Sequence, residues 1–313
     1  MLQKDRFLTK AKRFKADSDT YYSYNNSLYK LYERFNLHNV EDFSNITTDD
    51  LEDWIEELSK GLRRSTINLI EEHCLEFFEY LLKKNVISFN PMKGIIRFNE
   101  REVIESSKEK YIPTIEEVEK IIKSVSIKEK TERGFEFTSA RNKAILQLLA
   151  TQGLRQSIIR NMRIDDIKRN DNQMVVIEIT ADRTKARIPH RICFSGKTKE
   201  LFNAFLEVRN KYNIQSNLIF TSLRGGKLIR ADIQGIFNKA VRKANIEVKK
   251  GIQFSPHCLR HFTATILVNN NENEILIKKI LNWSTSDRDM LSRYSNHDNL
   301  YDEEKARATS FLG

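Results

Sequence analysis

Ser255-Pro256-His257-Cys258-Leu259-Arg260-His261 runs directly into Phe262-Thr263-Ala264-Thr265-Ile266-Leu267-Val268. The second half is an apolar helical body. The first half places proline at the helix start, where no N–H is needed, with histidine and arginine along one edge. Backbone N–H groups at such a start favour anions, and a planar guanidinium fork matches phosphate oxygens. The stretch therefore reads as a phosphate-holding helix start backed by core. It reads equally as a capped core helix carrying two solvated cations. Which reading applies depends on what else in the chain converges on the same place.

The chain has 313 residues, enough for two domains and a sizeable core. Its 40% apolar and 31% charged residues are ordinary for a globular protein. No apolar run reaches the roughly 18 residues of a membrane span, so no membrane partner is expected. Met1-Leu2-Gln3-Lys4-Asp5-Arg6 lacks the apolar core of a signal peptide. Cys74, Cys193 and Cys258 are odd in number, far apart and without Cys-x-x-Cys spacing. Neither a disulfide framework nor a zinc site is expected, and a reducing cytoplasm is the expected location. The net charge of +10 is uneven: residues 1–96 hold 14 Lys/Arg against 16 Asp/Glu, and the remainder 39 against 27. A basic body suits a polyanion such as nucleic acid.

The first residues, with Lys4, Arg6, Lys10, Lys12, Arg13 and Lys15, read as a solvated basic tail able to touch a DNA backbone. A tyrosine-rich helical pattern follows. Thr47-Thr48-Asp49-Asp50 opens a helix burying Leu51, Trp54, Ile55 and Leu58. Ser65 is the expected N-cap of a second amphipathic helix bearing Ile67, Ile70, Cys74, Phe77, Phe78 and Leu81. Arg63, Arg64 and Ser65, just ahead of it, are candidate DNA contacts or plain solvated loop residues. Asn90-Pro91 ends the helical run. Residues 1–96 thus read as an all-helical domain, 97–112 as a linker and 113–313 as a second domain. Thr114 and Glu117 form a capping box at the restart. A helix over 140–150 ends in Thr151-Gln152-Gly153-Leu154-Arg155. The β-branched run 174–180 pairs with 187–194 across a cationic turn, and Pro189 marks an edge strand. Helices are expected near 198–212, 231–245 and 274–281.

Taken together, these residues resemble the tyrosine recombinase (phage integrase) family along nearly the whole chain. The resemblance runs through Thr151-Gln152-Gly153-Leu154-Arg155, the turn with Lys185, His257-Cys258-Leu259-Arg260-His261, Leu281-Asn282-Trp283 and Arg293-Tyr294. It implies a mainly α fold with a small β-sheet. A helical, SAM-like core-binding domain and a mixed α+β catalytic domain would close on DNA as a C-shaped clamp. It implies that Tyr294 attacks a phosphodiester of double-stranded DNA at a specific recombination site, leaving a 3′-phosphotyrosine and a 5′-hydroxyl. A tyrosine hydroxyl has an ordinary pKa of about 10 and needs a proton acceptor. Arg155 and Arg260 would clamp the nonbridging oxygens, and Lys185 would protonate the leaving oxygen. His257 would act as acid/base or phosphate donor, and Trp283 would bond a phosphate oxygen through its N–H. His261 matches the motif as a supporting residue. The bond energy stays in the phosphotyrosine, so no cofactor and no metal is expected. A dimer on each site and a homotetramer in synapsis are implied. The tail from Tyr301 to Gly313, with Phe311 and Leu312 near its end, reads either as a segment that docks on a neighbouring protomer or as a helix packed on its own domain or a frayed end.

The chain departs from the family pattern in places. Trp283 stands where histidine is frequent, and Ile158 where the family usually carries an acidic residue. The spacing from Trp283 to Tyr294 is about two residues longer than usual, which makes Tyr301 the alternative nucleophile. Arg183 is the alternative to Lys185 and a further DNA-contact candidate, although its high pKa suits proton donation poorly. A fold of this type without catalysis would be a DNA-binding regulator. A type IB topoisomerase would share the chemistry but relax DNA of any sequence.

Overall fold

The computed structural model describes residues 3–12, 14, 19–95, 111–125, 134–184, 188–283 and 302–312. Chain contacts define two compact units, Met1–Ser107 and Lys108–Gly313. Among the described residues, no helix is long and apolar enough to cross a membrane. The fold is mainly α with one small sheet.

The first unit holds α1 (Gln3–Arg6), α2 (Asp19–Phe35), α3 (Thr48–Ser59) and α4 (Arg64–Lys83). Thr47 caps α3 reciprocally with Asp50: Asp50 N donates to Thr47 Oγ1 at 3.2 Å, and Thr47 N donates to Asp50 Oδ2 at 2.9 Å. Leu51, Trp54 and Ile55 face inward from α3, against Ile70, Phe77 and Leu81 of α4. Two expectations change here. The basic N-terminal stretch is not a solvated tail, because Phe7 and Leu8 are fully buried in this core. Lys4 N donates to the Tyr32 hydroxyl at 3.0 Å, and Lys12 Nζ pairs with Glu76 Oε2 at 2.5 Å. Counting charges hides two apolar anchors set among them. Ser65 is not the N-cap of α4. Thr66 N and Ile67 N donate to Arg63 O at 2.9 and 3.1 Å, so the cap is Arg63 and Ser65 is the second helical residue.

In the second unit, α5 (Ile115–Lys123) starts on the Thr114–Glu117 capping box. Most of the 97–112 segment lies outside the described residues. Tyr111 already belongs to the second unit: its N donates to Gln253 O at 3.0 Å, and its ring packs edge-on against Phe254 at 4.8 Å. After α5 come α6 (Phe135–Thr151) and α7 (Gln156–Asn161). Three antiparallel strands follow in the order β1 (Ile167–Asn170), β2 (Val175–Ile179) and β3 (His190–Phe194). The β2–β3 register runs from Val175 opposite Phe194 to Ile179 opposite His190, which leaves β3 as an edge strand just after Pro189. Then come α8 (Gly196–Lys211), α9 (Arg230–Lys243), α10 (Pro256–Asn269), α11 (Glu274–Leu281) and α12 (Asp302–Ala308).

Helix α6 packs on α5, α8 and α10, and every residue from Ala144 to Thr151 is buried. Ile145, Leu148 and Leu149 of α6 meet Phe202, Phe205 and Phe262 in one core. In this single chain the C-terminal segment packs on its own unit. Helix α12 lies against β3, with Lys305 Nζ donating to Arg191 O at 3.2 Å, and Leu312 is buried in the main core.

Candidate active site

The start of α10 is built locally. Ser255 is the extended N-cap, Pro256 takes the first helical position, and Ser255 N donates to Cys258 Sγ at 3.4 Å. Cys258 is buried and closes the first turn. His257, exposed on that turn, stands edge-on to His261 with ring centroids 4.8 Å apart. Arg260, three residues on from His257, points inward and is 5% exposed.

The buried Arg260 guanidinium joins two segments. Its Nη1 donates to Gly153 O at 2.6 Å and its Nη2 to Leu281 O at 2.5 Å. Burial, with the neighbouring Arg155 charge second, pushes its pKa down to about 10, so it keeps its charge at neutral pH. Arg155 caps α7 in extended conformation, and its Nη1 donates to Asn282 O at 3.0 Å. Burial lowers its pKa as well. Each guanidinium has five donors, so these carbonyl bonds leave donors for an anion. Two adjacent like charges repel unless an anion lies between them.

The glycine of Thr151-Gln152-Gly153-Leu154-Arg155 is dictated by this packing. Gly153 has φ +55°, and a Cβ there would sit 2.5 Å from Leu281 Cδ2 and 3.3 Å from Thr263 Cβ. Thr263 Oγ1 in turn donates to Ala150 O at 2.8 Å, fixing α10 to the end of α6. Trp283 follows Asn282, which takes the left-handed conformation at φ 46° and turns the chain out of α11. The Trp283 ring is 43% exposed and lies 5.9 Å from the Arg260 guanidinium. Arg155, Arg260 and Trp283 thus meet at one place, with His257 on the exposed first turn of the helix that carries Arg260.

Lys185, Tyr294 and the alternative Tyr301 lie outside the described residues. Arg183 is committed to Asp166, with its Nη1 at 2.8 Å from Oδ2 and its Nη2 at 2.5 Å from Oδ1. That pairing raises its pKa further and leaves it a brace of the hairpin, a poor proton donor. Ile158 is buried in the core at 3% exposure, so no carboxylate stands on that turn of α7. Arg63, Arg64 and Ser65 belong to the first unit, where Arg63 and Ser65 are exposed and Arg64 Nη2 pairs with Glu71 at 3.3 Å.

One residue escapes sequence reading. His190, the first residue of β3, is 3% exposed, and its Nε2 lies 3.0 Å from Ile280 O. A carbonyl only accepts, so Nε2 carries a proton. Burial pushes its pKa down to about 3, helped by the positive charges of Lys305, Arg260 and Arg155. The unfolded chain takes up this proton near pH 6.5, whereas the folded chain resists it. Stability is therefore expected to fall as pH drops below about 6.5, by up to about 1.4 kcal/mol per pH unit for this one group, until its folded pKa is reached. Denaturant unfolding from pH 7 to pH 4 checks this, and His190→Gln should flatten the decline.

A buried arginine and a half-buried one beside an exposed histidine and an indole N–H suit a phosphodiester under nucleophilic attack. That defines the class as phosphoryl transfer on a polyanion. The comparisons give the family. The family model described as "Phage integrase family" matches residues 112–300. A "Tyrosine recombinase XerC" of Actinobacillus pleuropneumoniae is 26% identical over 225 residues, covering 72% of this chain and 66% of its own length. A "Tyrosine recombinase" of Agathobacter rectalis is 26% identical over 277 residues, covering 87% and 84% respectively. Among solved structures, the XerH recombinase in a post-cleavage complex with its palindromic difH substrate superposes with a TM-score of 0.66 at 20% identity. That match covers 96% of this chain and 83% of XerH. The chain belongs to the phage integrase family. It is a tyrosine recombinase, a DNA strand-transferase of site-specific recombination.

Proposed function

We propose that this recombinase cuts each strand of a specific duplex site by attack of the Tyr294 hydroxyl on the scissile phosphorus. The O–P bond to tyrosine forms, the P–O5′ bond breaks, and the products are a 3′-phosphotyrosine and a 5′-hydroxyl. Arg155 and Arg260 neutralise the charge that builds on the nonbridging oxygens, each contributing about 3 kcal/mol at the transition state. Trp283 donates its N–H to the same phosphate, and His257 donates to it or exchanges a proton with the nucleophile. His261 supports His257 through their ring contact. Lys185, on the β2–β3 turn, protonates the leaving oxygen. Attack by a partner strand's 5′-hydroxyl then reverses the step and frees Tyr294. Residues 1–96 and 113–313 act as the two DNA-gripping domains, one dimer forms per site, and two sites pair in a tetramer. The place of action is the cytoplasm.

The observation that carries this reading is the meeting of Arg155 and Arg260 on the adjacent carbonyls of Asn282 and Leu281, beside Trp283. The test is incubation with duplexes carrying candidate inverted repeats drawn from the DNA around the gene, followed by denaturing electrophoresis. A covalent protein–DNA band is expected with those duplexes and not with scrambled ones. Binding without any covalent band would favour a DNA-binding regulator, the reading to which the buried Ile158 points. Relaxation of plasmids lacking the repeats would instead indicate topoisomerase activity.

Binding is expected to be strongly salt-dependent, because Lys and Arg displace counterions from the phosphates they neutralise. For about six phosphate contacts, affinity should drop on the order of 1000-fold between about 50 and 200 mM salt. Fluorescence anisotropy across that range measures it, and a flat profile would rule out phosphate-dominated binding.

A further inference from the structure

Three successive carbonyls end α11, and a different part of the chain bonds each one. Ile280 O accepts from His190 Nε2 at 3.0 Å, Leu281 O from Arg260 Nη2 at 2.5 Å, and Asn282 O from Arg155 Nη1 at 3.0 Å. The last carbonyls of a helix have no partner within it and carry its negative end, so donors and cations gather there. In this protein the two gathered cations are the clamp arginines. The helix end is therefore the frame that sets how far apart they stand and where they point.

Of the three donors, only His190 has no anion to bind. It is buried in β3, its Nδ1 has no hydrogen-bond partner among the described residues, and it anchors the strand leading out of the turn whose base Thr184 closes. Thr184 Oγ1 donates to Ile188 O at 2.7 Å and accepts from Ile188 N at 3.2 Å, so the strand entry is fixed up to Pro189. His190 thus ties a rigid strand to the first carbonyl of the trio.

We infer that His190 is a positioning residue of the recombination reaction. It holds the α11 carbonyl end in register so that Arg155 and Arg260 present their free donors to one phosphate. It touches no DNA and moves no proton. Its effect reaches catalysis through the arginines alone, and the inference rests on the role proposed for them. Without the His190 bond, the helix end is free to shift by a fraction of an ångström. A shift of that size at a charge clamp costs rate while leaving groove and backbone contacts intact.

Variants of the full-length protein test this. His190→Leu removes the donor, and His190→Gln returns an N–H to nearly the same place. DNA affinity should be unchanged in both. Single-turnover cleavage by His190→Leu should fall on the order of 10- to 100-fold, and His190→Gln should restore most of it. The decisive arm uses a duplex with a methylphosphonate at the scissile position, where one charged oxygen is gone and the clamp has less charge to neutralise. There the gap between wild type and His190→Leu should close to within about threefold if the defect lies in the clamp. Equal slowing on both substrates would assign His190 to folding alone and overturn the inference. So would a His190→Leu rate equal to wild type, or a failure of His190→Gln to restore cleavage. If wild type cleaves neither substrate, the proposed function falls and the inference falls with it.

Discussion

Arg260→Ala should lower the single-turnover cleavage rate on the order of 100- to 1000-fold, the loss of about 3–4 kcal/mol of transition-state stabilisation. It should also lower the melting temperature. The guanidinium is buried and satisfies Gly153 O at 2.6 Å and Leu281 O at 2.5 Å. Leaving each buried carbonyl without a donor costs about 1–3 kcal/mol, so the melting point should fall on the order of 5 °C. Arg260→Lys separates the two roles. It keeps the charge, but one ammonium cannot span both carbonyls and a phosphate as a planar fork does. It should therefore melt between wild type and Arg260→Ala while cleaving almost as slowly as the latter. DNA affinity should hold in both, since many phosphates share the binding. Rates measured well below the melting point, alongside thermal scans, check each part. An Arg260→Ala protein that cleaves normally would remove Arg260 from the site.

Tyr294→Phe should abolish the covalent adduct completely and leave binding as it is. The substitution removes one oxygen, and no other group of the proposed site forms a phosphodiester with DNA. The comparison with Tyr301→Phe makes the result specific. That variant should still cleave, because Tyr301 is only the alternative raised by the long spacing from Trp283. Electrophoretic shift assays and denaturing gels on the same samples report binding and adduct together. A surviving adduct in Tyr294→Phe would transfer the nucleophile to another residue.

Much of this was legible in the chain because the chemistry needs recognisable residue types at helix ends and turns. Pro256 with Arg260 marks a helix start suited to an anion, and the structure adds the two carbonyls that orient the arginine. Gly153 beside Arg155 signals a turn, and its physical reason is the close approach of Leu281 and Thr263. The β-branched run 174–180 and its partner stretch 187–194 give the β2–β3 pair, and Pro189 gives the edge position of β3. What stayed hidden depends on contacts distant in sequence. Strand β1 reads as Ile167-Lys168-Arg169-Asn170, with too few apolar residues to announce a strand, and only its pairing with β2 reveals it. Phe7 and Leu8 sit among charges that outvote them in any composition window. A lone histidine at the head of a strand says nothing of a bond to a carbonyl 90 residues later, so His190 emerged only from the fold.

In the proposed mechanism, Tyr294 carries the DNA at a phosphate held by Arg155 and Arg260. The most direct test is a duplex with a nick close to the scissile phosphate. On cleavage the short strand beyond the nick diffuses away, rejoining is impossible and the adduct accumulates. Nuclease trimming and proteolysis then leave a peptide bearing a nucleotide remnant, and fragment mass spectra distinguish Tyr294 from Tyr301. A 3′-linked nucleotide on Tyr294 is the expected result. A remnant on Tyr301, or no adduct from protein that binds the same duplex, would contradict it.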